Sequence, residues 1–239
     1  MSGRKIVINY ADKRYYQAQK ENSRTALQIG EFTHAIERGS KNIDMEFYIR
    51  NRIILEHPHG AGYWLWKPYI ILKELENMND NDILFYCDAG ASFVGSFNDY
   101  LFDLCRADEK GLILFNGGHI NKKYTKRDCF YYMDCDTKKY TDATQLTATF
   151  QLCRKTKFTI DFYNEHLKYS QDPRILTDMK NVCGKENYDV FVAHRHDQSI
   201  LTNLKEKYDV TIVEDISQWG DNVREPGYKT LINHHRNGA

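Results

Sequence analysis

Short apolar runs alternate along the chain with segments whose apolar residues recur at helical spacing. The runs predict buried strands, because an uninterrupted apolar stretch of this length is typical of strands covered on both faces. The clearest is ILFYC, which leads directly into an acidic residue. The predicted strands are 5–9, 83–87, 111–115, 146–153 and 210–213.

The periodic segments between them predict helices at 15–29, 44–56, 67–78, 97–105, 158–169 and 197–208. Gly30 follows the first, and Pro68 stands in the first turn of the third, where a proline is tolerated. Residues 57–62 are predicted to form a loop. Alternating strands and helices indicate an α/β domain with a largely parallel, mixed central sheet flanked by helices. With four prolines, no repeat and no linker-like stretch, 1–239 is predicted to be a single domain.

Asp88 follows the strongest predicted strand. Open α/β sheets bind ligands beyond the carboxyl ends of their strands, so Asp88 is a candidate site residue. A carboxylate there suits Mg²⁺, Mn²⁺ or a ribose hydroxyl.

Composition excludes several classes. Lys+Arg and Asp+Glu both number 33, which disfavours a nucleic-acid binder. No apolar run approaches the roughly 20 residues of a transmembrane helix, and the amino terminus does not resemble a signal peptide. The six cysteines form no C-x-x-C pair, which disfavours a structural zinc site. Cys87 and Cys153 lie in apolar runs, which predicts that they are small buried apolar residues. We therefore expect a reduced, soluble, cytoplasmic protein.

Three further segments carry candidate chemistry. Lys67, in YWLWK, is predicted at a helix start, where a lysine can bind phosphate; Trp64 and Trp66 could line a ligand or pack in the core. HRHDQ, at 194–198, precedes a helix, and Asp197 could cap that helix or take part in chemistry. NHHRNG, at 233–238, could fold over a diphosphate or form an exposed tail.

Together these segments resemble a family of glycosyltransferases from bacterial capsule and lipopolysaccharide gene clusters, with relatives in large algal viruses. The matching pieces occur in the family's order over nearly the whole chain. They are GYWLWKPYIILKEL, DILFYCDAG, YTKRD at 124–128, RILTD at 174–178, HRHDQSILTNL and HHRN. The resemblance implies a single-domain GT-A fold.

Carried over by position, Asp88 matches the first aspartate of the GT-A Asp-X-Asp motif, which meets the donor's ribose and Mn²⁺. Gly90 replaces the second aspartate, so Mn²⁺ or Mg²⁺ would need ligands from the donor diphosphate, and metal dependence stays open. The resemblance makes His234 or His235 a late metal or phosphate ligand. It also places the nucleoside near Asn9, Tyr10 and Asp12.

The resemblance further implies that Asp197 and Gln198 contact the donor and acceptor sugars. Asp197, with His196 beside it, is the predicted catalytic residue: it would be the base of an inverting reaction and a positioning group in a retaining one. The expected reaction moves a sugar from a nucleoside-diphosphate donor, UDP-linked, to a glycan hydroxyl. Two alternatives are a metal-dependent hydrolase of phosphoesters or sugar nucleotides and a non-catalytic carbohydrate-binding module.

Overall fold

The computed structural model of the protein describes residues 3–97, 100–218 and 229–235. Their centre is a six-stranded sheet with strand order β2-β1-β3-β6-β5-β7. A second sheet has the order β4-β9-β8. The strands are β1 Lys5–Tyr10, β2 His34–Arg38, β3 Ile83–Cys87, β4 Ala91–Phe93, β5 Leu112–Ile120, β6 Thr144–Arg154, β7 Thr211–Val213, β8 Ser217–Gln218 and β9 Ile232–His234.

The large sheet is mixed, as predicted. β1 pairs parallel with both β2 and β3, and β5 pairs parallel with β7. β6 runs antiparallel between β3 and β5. The carboxyl ends of β1 and β3 therefore lie on the same side of the sheet, and the antiparallel strand β6 begins on that side.

Helices cover both faces of this sheet. They are α1 Tyr16–Gln28, α2 Met45–Arg50, α3 Arg52–Leu55, α4 Gly60–Tyr63, α5 Trp66–Asn77, α6 Leu101–Ala107, α7 Arg127–Tyr132, α8 Lys138–Thr141, α9 Lys157–Ser170, α10 Pro173–Leu176 and α11 His196–Tyr208. Alternate residues of β3 enter different cores: Leu84 and Tyr86 pack in one, and Ile83, Phe85 and Cys87 in the other. Burial on both faces explains why this strand is apolar throughout.

The predicted helix 44–56 is two helices. Asn51 interrupts it with φ −111° and ψ 17°, and its side chain donates to the carbonyl of Phe47. An asparagine that bonds nearby backbone competes with the helical pattern. The predicted helix 97–105 begins only at Leu101, the predicted loop 57–62 overlaps with the irregular turn α4, and β5 runs on to Ile120.

The small sheet was not predicted, because its strands are two or three residues long. Its importance is positional. β4 begins three residues after Asp88, and Ala91 of β4 pairs with His234 of β9. The last described residues are thus brought beside the end of β3.

A long segment without helix or strand, 177–195, joins α10 to α11. Two buried charged side chains hold it. Lys126 donates to the carbonyls of Thr177 and Met179 at 3.0 and 2.8 Å. Asp128 accepts from the backbone N–H groups of Val182 and Cys183. The YTKRD motif therefore fixes the path of a loop that it does not adjoin in sequence.

None of the helices in the described ranges is long and apolar enough to cross a membrane. All six cysteines lie within these ranges and are free thiols. Cys87 and Cys153 are buried as small apolar residues, as expected.

Candidate active site

A cavity of about 930 Å³ opens at the carboxyl ends of β1 and β3. The first half of β6 and the start of α11 complete its lining. The polar and aromatic residues that line it include Tyr10, Asp12, Trp64, Trp66, Lys67, Asp88, His196, Asp197, Gln198 and His234. This is the position where open α/β sheets bind ligands.

Lys67 contacts two carboxylates that line this cavity with it. Its Nζ lies 2.8 Å from Asp197 Oδ2 and 3.5 Å from Asp88 Oδ1, and it donates to the carbonyl of Ala148 at 3.2 Å. The contact with Ala148 is a hydrogen bond, and the contacts with Asp197 and Asp88 are ion pairs. Lys67 is only 2% exposed, and it was predicted to bind phosphate. The structure instead gives its charge to Asp88 and Asp197.

Burial and charge oppose each other in this group. Burial disfavours the ammonium, but Asp197 and Asp88 outweigh that effect and raise the pKa of Lys67. Burial also raises the pKa of Asp197 to about 6, with Asp88 adding to the shift and Lys67 opposing it. A carboxyl whose pKa lies near neutrality can give and take protons at physiological pH.

Asp88 has a second partner in β3, the strand that precedes it. The hydroxyl of Tyr86 donates to Asp88 Oδ1. Residues two apart in a strand point to the same face, which explains why the pair meets. Burial, followed by the charge of Asp88, raises the pKa of Tyr86 well above its usual value. Tyr86 is therefore a protonated donor.

Asn22 of α1 holds the turn after β3 through hydrogen bonds, and this asparagine is fully buried. Its side-chain amide donates to the carbonyl of Ala91 at 2.8 Å and to that of Asp88 at 3.4 Å. Its Oδ1 accepts from Asn9 at 2.8 Å. Asn9 was predicted to contact the nucleoside. Its side chain is 0% exposed, and its amide forms hydrogen bonds with Ser23 and Gln19 of α1. Asn9 does not line the cavity.

The other two predicted nucleoside contacts do line the cavity. Tyr10 stacks on Trp66, with ring centroids 3.8 Å apart and an interplanar angle of 12°. Asp12 forms an ion pair with Arg14 at 2.8 Å. Trp66 is 5% exposed, so most of its surface packs in the core, while Trp64 is half-buried and contacts histidine rings.

The two late histidines separate. His234 is buried and lines the cavity, and its pairing with Ala91 places it beside the Asp88 turn. His235 lies outside the lining, where burial lowers its pKa against the opposing effect of Glu21. A Mn²⁺ or Mg²⁺ could be held by Asp88 and His234 together with a bound diphosphate, since such ions often keep only one or two protein ligands. Asp88 and His234 therefore fit a metal ion whose remaining ligands come from the diphosphate.

All five residues of the HRHDQ segment line the cavity. Asp197 was considered as an N-cap, but the cap position is Arg195 and Asp197 lies inside the first turn, 4% exposed and turned towards Lys67. Gln198 donates to Gln145 Oε1 at 2.9 Å. His196 Nδ1 bonds to the carbonyl of Leu176 at 2.8 Å.

Three functional candidates were missed from the sequence. Tyr86 could have been found, because it lies two residues before Asp88 on an apolar strand. Asn22 gave no signal, because an asparagine in a polar helix is ordinary. Asp178 ends the RILTD piece, but no role was predicted for it, because only the folded loop brings it to His59 and His196.

A comparison with protein families finds no match, and a comparison with characterised protein sequences finds none either. Solved structures do match. Mouse xyloside xylosyltransferase 1 aligns over 98% of both chains with a TM-score of 0.54 and 8% identity. The bifunctional glycosyltransferase WbbM aligns over 98% of this chain with a TM-score of 0.54 and 9% identity, and this chain spans 46% of it.

A glycosyltransferase involved in glycosylating the major capsid of PBCV-1 aligns over 97% of this chain and 92% of its own, at 9% identity. Its TM-score of 0.47 is too low to carry an argument. At these identities the likenesses show the fold alone. The chain has an α/β fold with a mixed six-stranded sheet flanked by helices, which is the fold of the GT-A glycosyltransferases.

Proposed function

We propose that the protein transfers a sugar from a nucleoside-diphosphate donor, UDP-linked, to a hydroxyl of a glycan acceptor. The observation that carries the proposal is the arrangement Asp88–Lys67–Asp197 in one cavity at the carboxyl edge of the sheet. The buried ammonium of Lys67 holds together the carboxylate of Asp88, on the donor side, and the carboxyl of Asp197, whose pKa is near neutrality. A carbohydrate-binding module has no need of such a set.

The donor would lie against β1 and the Asp88 turn. Tyr10 and Asp12 would contact the nucleoside, and Asp88 the ribose. Asp88 and His234 would hold a Mn²⁺ or Mg²⁺, whose chemistry is to neutralise charge on the leaving diphosphate. These assignments rest on the shared lining of the cavity and on the position of His234 beside the turn.

The acceptor would lie towards α11. In an inverting reaction Asp197 takes the proton of the acceptor hydroxyl as that oxygen bonds to the anomeric carbon and the donor's bond to its phosphate oxygen breaks. In a retaining reaction the leaving phosphate can take that proton, and Asp197 positions the sugars. Gln198, next to Asp197 on the same lining, would contact the acceptor, and His196 lies on the other side of Asp197.

Lys67 has a role different from direct phosphate binding. Its short distance to Asp197 fixes the orientation of the carboxylate, and its charge opposes the protonation that burial favours. Its contact with Asp88 links the donor side to the same cation. We assign Lys67 as a positioning residue.

Thermal unfolding with a panel of nucleoside diphosphates, each with and without Mn²⁺, tests the proposal. We expect stabilisation by one nucleotide, UDP, since a ligand that binds only the folded state raises its stability. Asp88→Asn should abolish the response. The matched control is Asp103→Asn, an exposed carboxylate paired with Arg106, which should keep it. No response to any nucleotide contradicts the proposal.

A sugar-release assay separates transfer from hydrolysis. A metal-dependent hydrolase would release free sugar, or cleave phosphoesters, at a rate that does not depend on an acceptor. A transferase releases nucleoside diphosphate faster when a glycan acceptor is added. Glycan binding that is indifferent to nucleotide and Mn²⁺, without turnover, would indicate a binding module.

A further inference from the structure

We propose that His59, Asp178 and His196 form a binding site for a transition-metal ion of the Zn²⁺ class, separate from the donor site at Asp88. One ligand atom from each residue lies within 4.8 Å of the others. His59 Nδ1 is 3.1 Å from Asp178 Oδ2, and His196 Nε2 is 3.8 Å from Asp178 Oδ1. Among the described residues this is the one such group of three.

His196 is oriented as a metal ligand. Its Nδ1 bonds to the carbonyl of Leu176 at 2.8 Å. A carbonyl only accepts, so Nδ1 carries the proton, and Nε2 presents its lone pair on the side of Asp178. Metal-binding histidines almost always donate their other ring N–H to such a partner, which fixes tautomer and ring orientation.

Asp178 is also held in advance. Lys126, 3% exposed, donates to the carbonyls of both neighbouring residues, Thr177 and Met179. The backbone on either side of Asp178 is therefore fixed, while its carboxylate stays about half exposed. A ligand on a clamped backbone loses little freedom when an ion binds.

The backbone around the other two ligands is strained. Residues 60–64 all have positive φ, and three of them, Ala61, Tyr63 and Trp64, are not glycine. His196 also has a positive φ, of 45°. In residues other than glycine such conformations are strained, and they concentrate at functional sites. The turn after His59 brings the Trp64 ring onto His196, with centroids 5.4 Å apart and an interplanar angle of 28°.

The donor set selects the ion. Two imidazoles and one carboxylate suit Zn²⁺ and its neighbours, whereas Mg²⁺ and Ca²⁺ prefer oxygen ligands alone. Zinc bonds of about 2.0–2.2 Å place tetrahedral ligands roughly 3–4 Å apart, and the two separations from Asp178, 3.1 and 3.8 Å, lie in that range. The ion would replace the proton between His59 and Asp178. Because His59 and His196 line the cavity, the open coordination position of the ion would face the cavity, where an oxygen ligand could bind.

The test is calorimetric titration of the full chain with Zn²⁺, without nucleotide, so that it does not depend on the proposed transfer reaction. We expect one ion per chain. His59→Ala and Asp178→Ala should each weaken binding by more than about tenfold. Both side chains are about half exposed, so both variants should fold, and thermal unfolding checks this. His34→Ala, which removes an exposed histidine far from the cluster, is the control and should bind as the parent does.

Co²⁺ provides a second readout. Its visible absorption should appear on binding, disappear on addition of Zn²⁺ and persist on addition of Mg²⁺. The proposal is overturned by any of three results: no uptake of one ion per chain, unchanged Zn²⁺ affinity in both His59→Ala and Asp178→Ala, or displacement of Co²⁺ by Mg²⁺.

Discussion

The ammonium of Lys67 lies 2.8 Å from the carboxylate of Asp197, and both residues are buried and line the same cavity. The residues are far apart in sequence, on the first turns of α5 and α11. Because Asp88 contacts the same ammonium, a change at any one of the three should be felt at the other two. Variants of Lys67 and Asp197 therefore test the proposed site most directly.

Replacing Lys67 by Met should destabilise the fold by about 3–5 kcal/mol, because it leaves two carboxylates near the cavity without their cation. Urea unfolding measures the loss. Lys73→Met is the matched control on the same helix: Lys73 is 50% exposed and pairs with Asp44, so its loss should cost about 0–1 kcal/mol. Equal losses in the two variants would contradict a central role for the Lys67 ion pair.

Asp197→Asn should abolish sugar transfer and leave nucleotide binding nearly intact, because an amide keeps the shape of the side chain but cannot accept a proton. Transfer is measured by product formation and binding by nucleotide-induced thermal stabilisation. The retained thermal response serves as the internal control for folding. Full transfer activity in this variant would remove Asp197 from the reaction.

The raised pKa of Asp197 predicts two pH dependences. Transfer that uses its ionised form should increase as pH rises through about 6. Stability should move the other way. The folded chain keeps a proton that the unfolded chain releases between about pH 4 and about pH 6, so the free energy of unfolding falls as pH rises through this window. The slope is about 1.4 kcal/mol per pH unit for one proton, and Asp197→Asn should lack it.

Tyr86→Phe should weaken nucleotide binding by about 1 kcal/mol, the usual value of one hydrogen bond, because Asp88 loses the donor that orients it. The nucleotide-induced thermal shift reports the change. Tyr163→Phe is the control, since that buried hydroxyl donates to the neutral amide oxygen of Gln151 at 2.9 Å. It should lower stability and leave the nucleotide response unchanged. The same response in both variants would argue against the role of Tyr86.

Asn22→Ala should cost about 1–3 kcal/mol of stability, because the carbonyl of Ala91 and the amide of Asn9 lose a buried partner. It should also reduce the nucleotide response more than its stability loss explains, since Asn22 fixes the turn that carries Asp88. Chemical unfolding and ligand titration measure the two effects. The control is Asn164→Ala: Asn164 is exposed, on α9, and bonds only its own helix.

The parts of the fold that the sequence predicts are those with a local physical signal. The strand 83–87 is apolar because both its faces are buried, and α9 and α11 are found because one face of each packs on the sheet. β2, HAIER, was missed because an edge strand with half-buried residues has no apolar run. The small sheet was missed because its pairing depends on residues far apart in sequence.

The site divides in the same way. Asp88 is recognisable from the strand before it. The partner of Asp197 is not, because nothing near HRHDQ indicates that Lys67 will meet it. The phosphate role of Lys67 was predicted from its place at a helix start, and in the structure its ammonium contacts two carboxylates and a carbonyl. Side-chain chemistry is visible in sequence, but the pairing of side chains needs the fold.

The pairing of Ala91 with His234 has a consequence for biosynthesis. Contacts between residues so distant in sequence form late, because the loop they close is long. The six strands of the main sheet are complete by Val213, whereas the imidazole beside the Asp88 turn arrives only with residue 234. A nascent chain can therefore build its main sheet before the lining of the cavity is complete, because His234 joins that lining only after synthesis has passed this point.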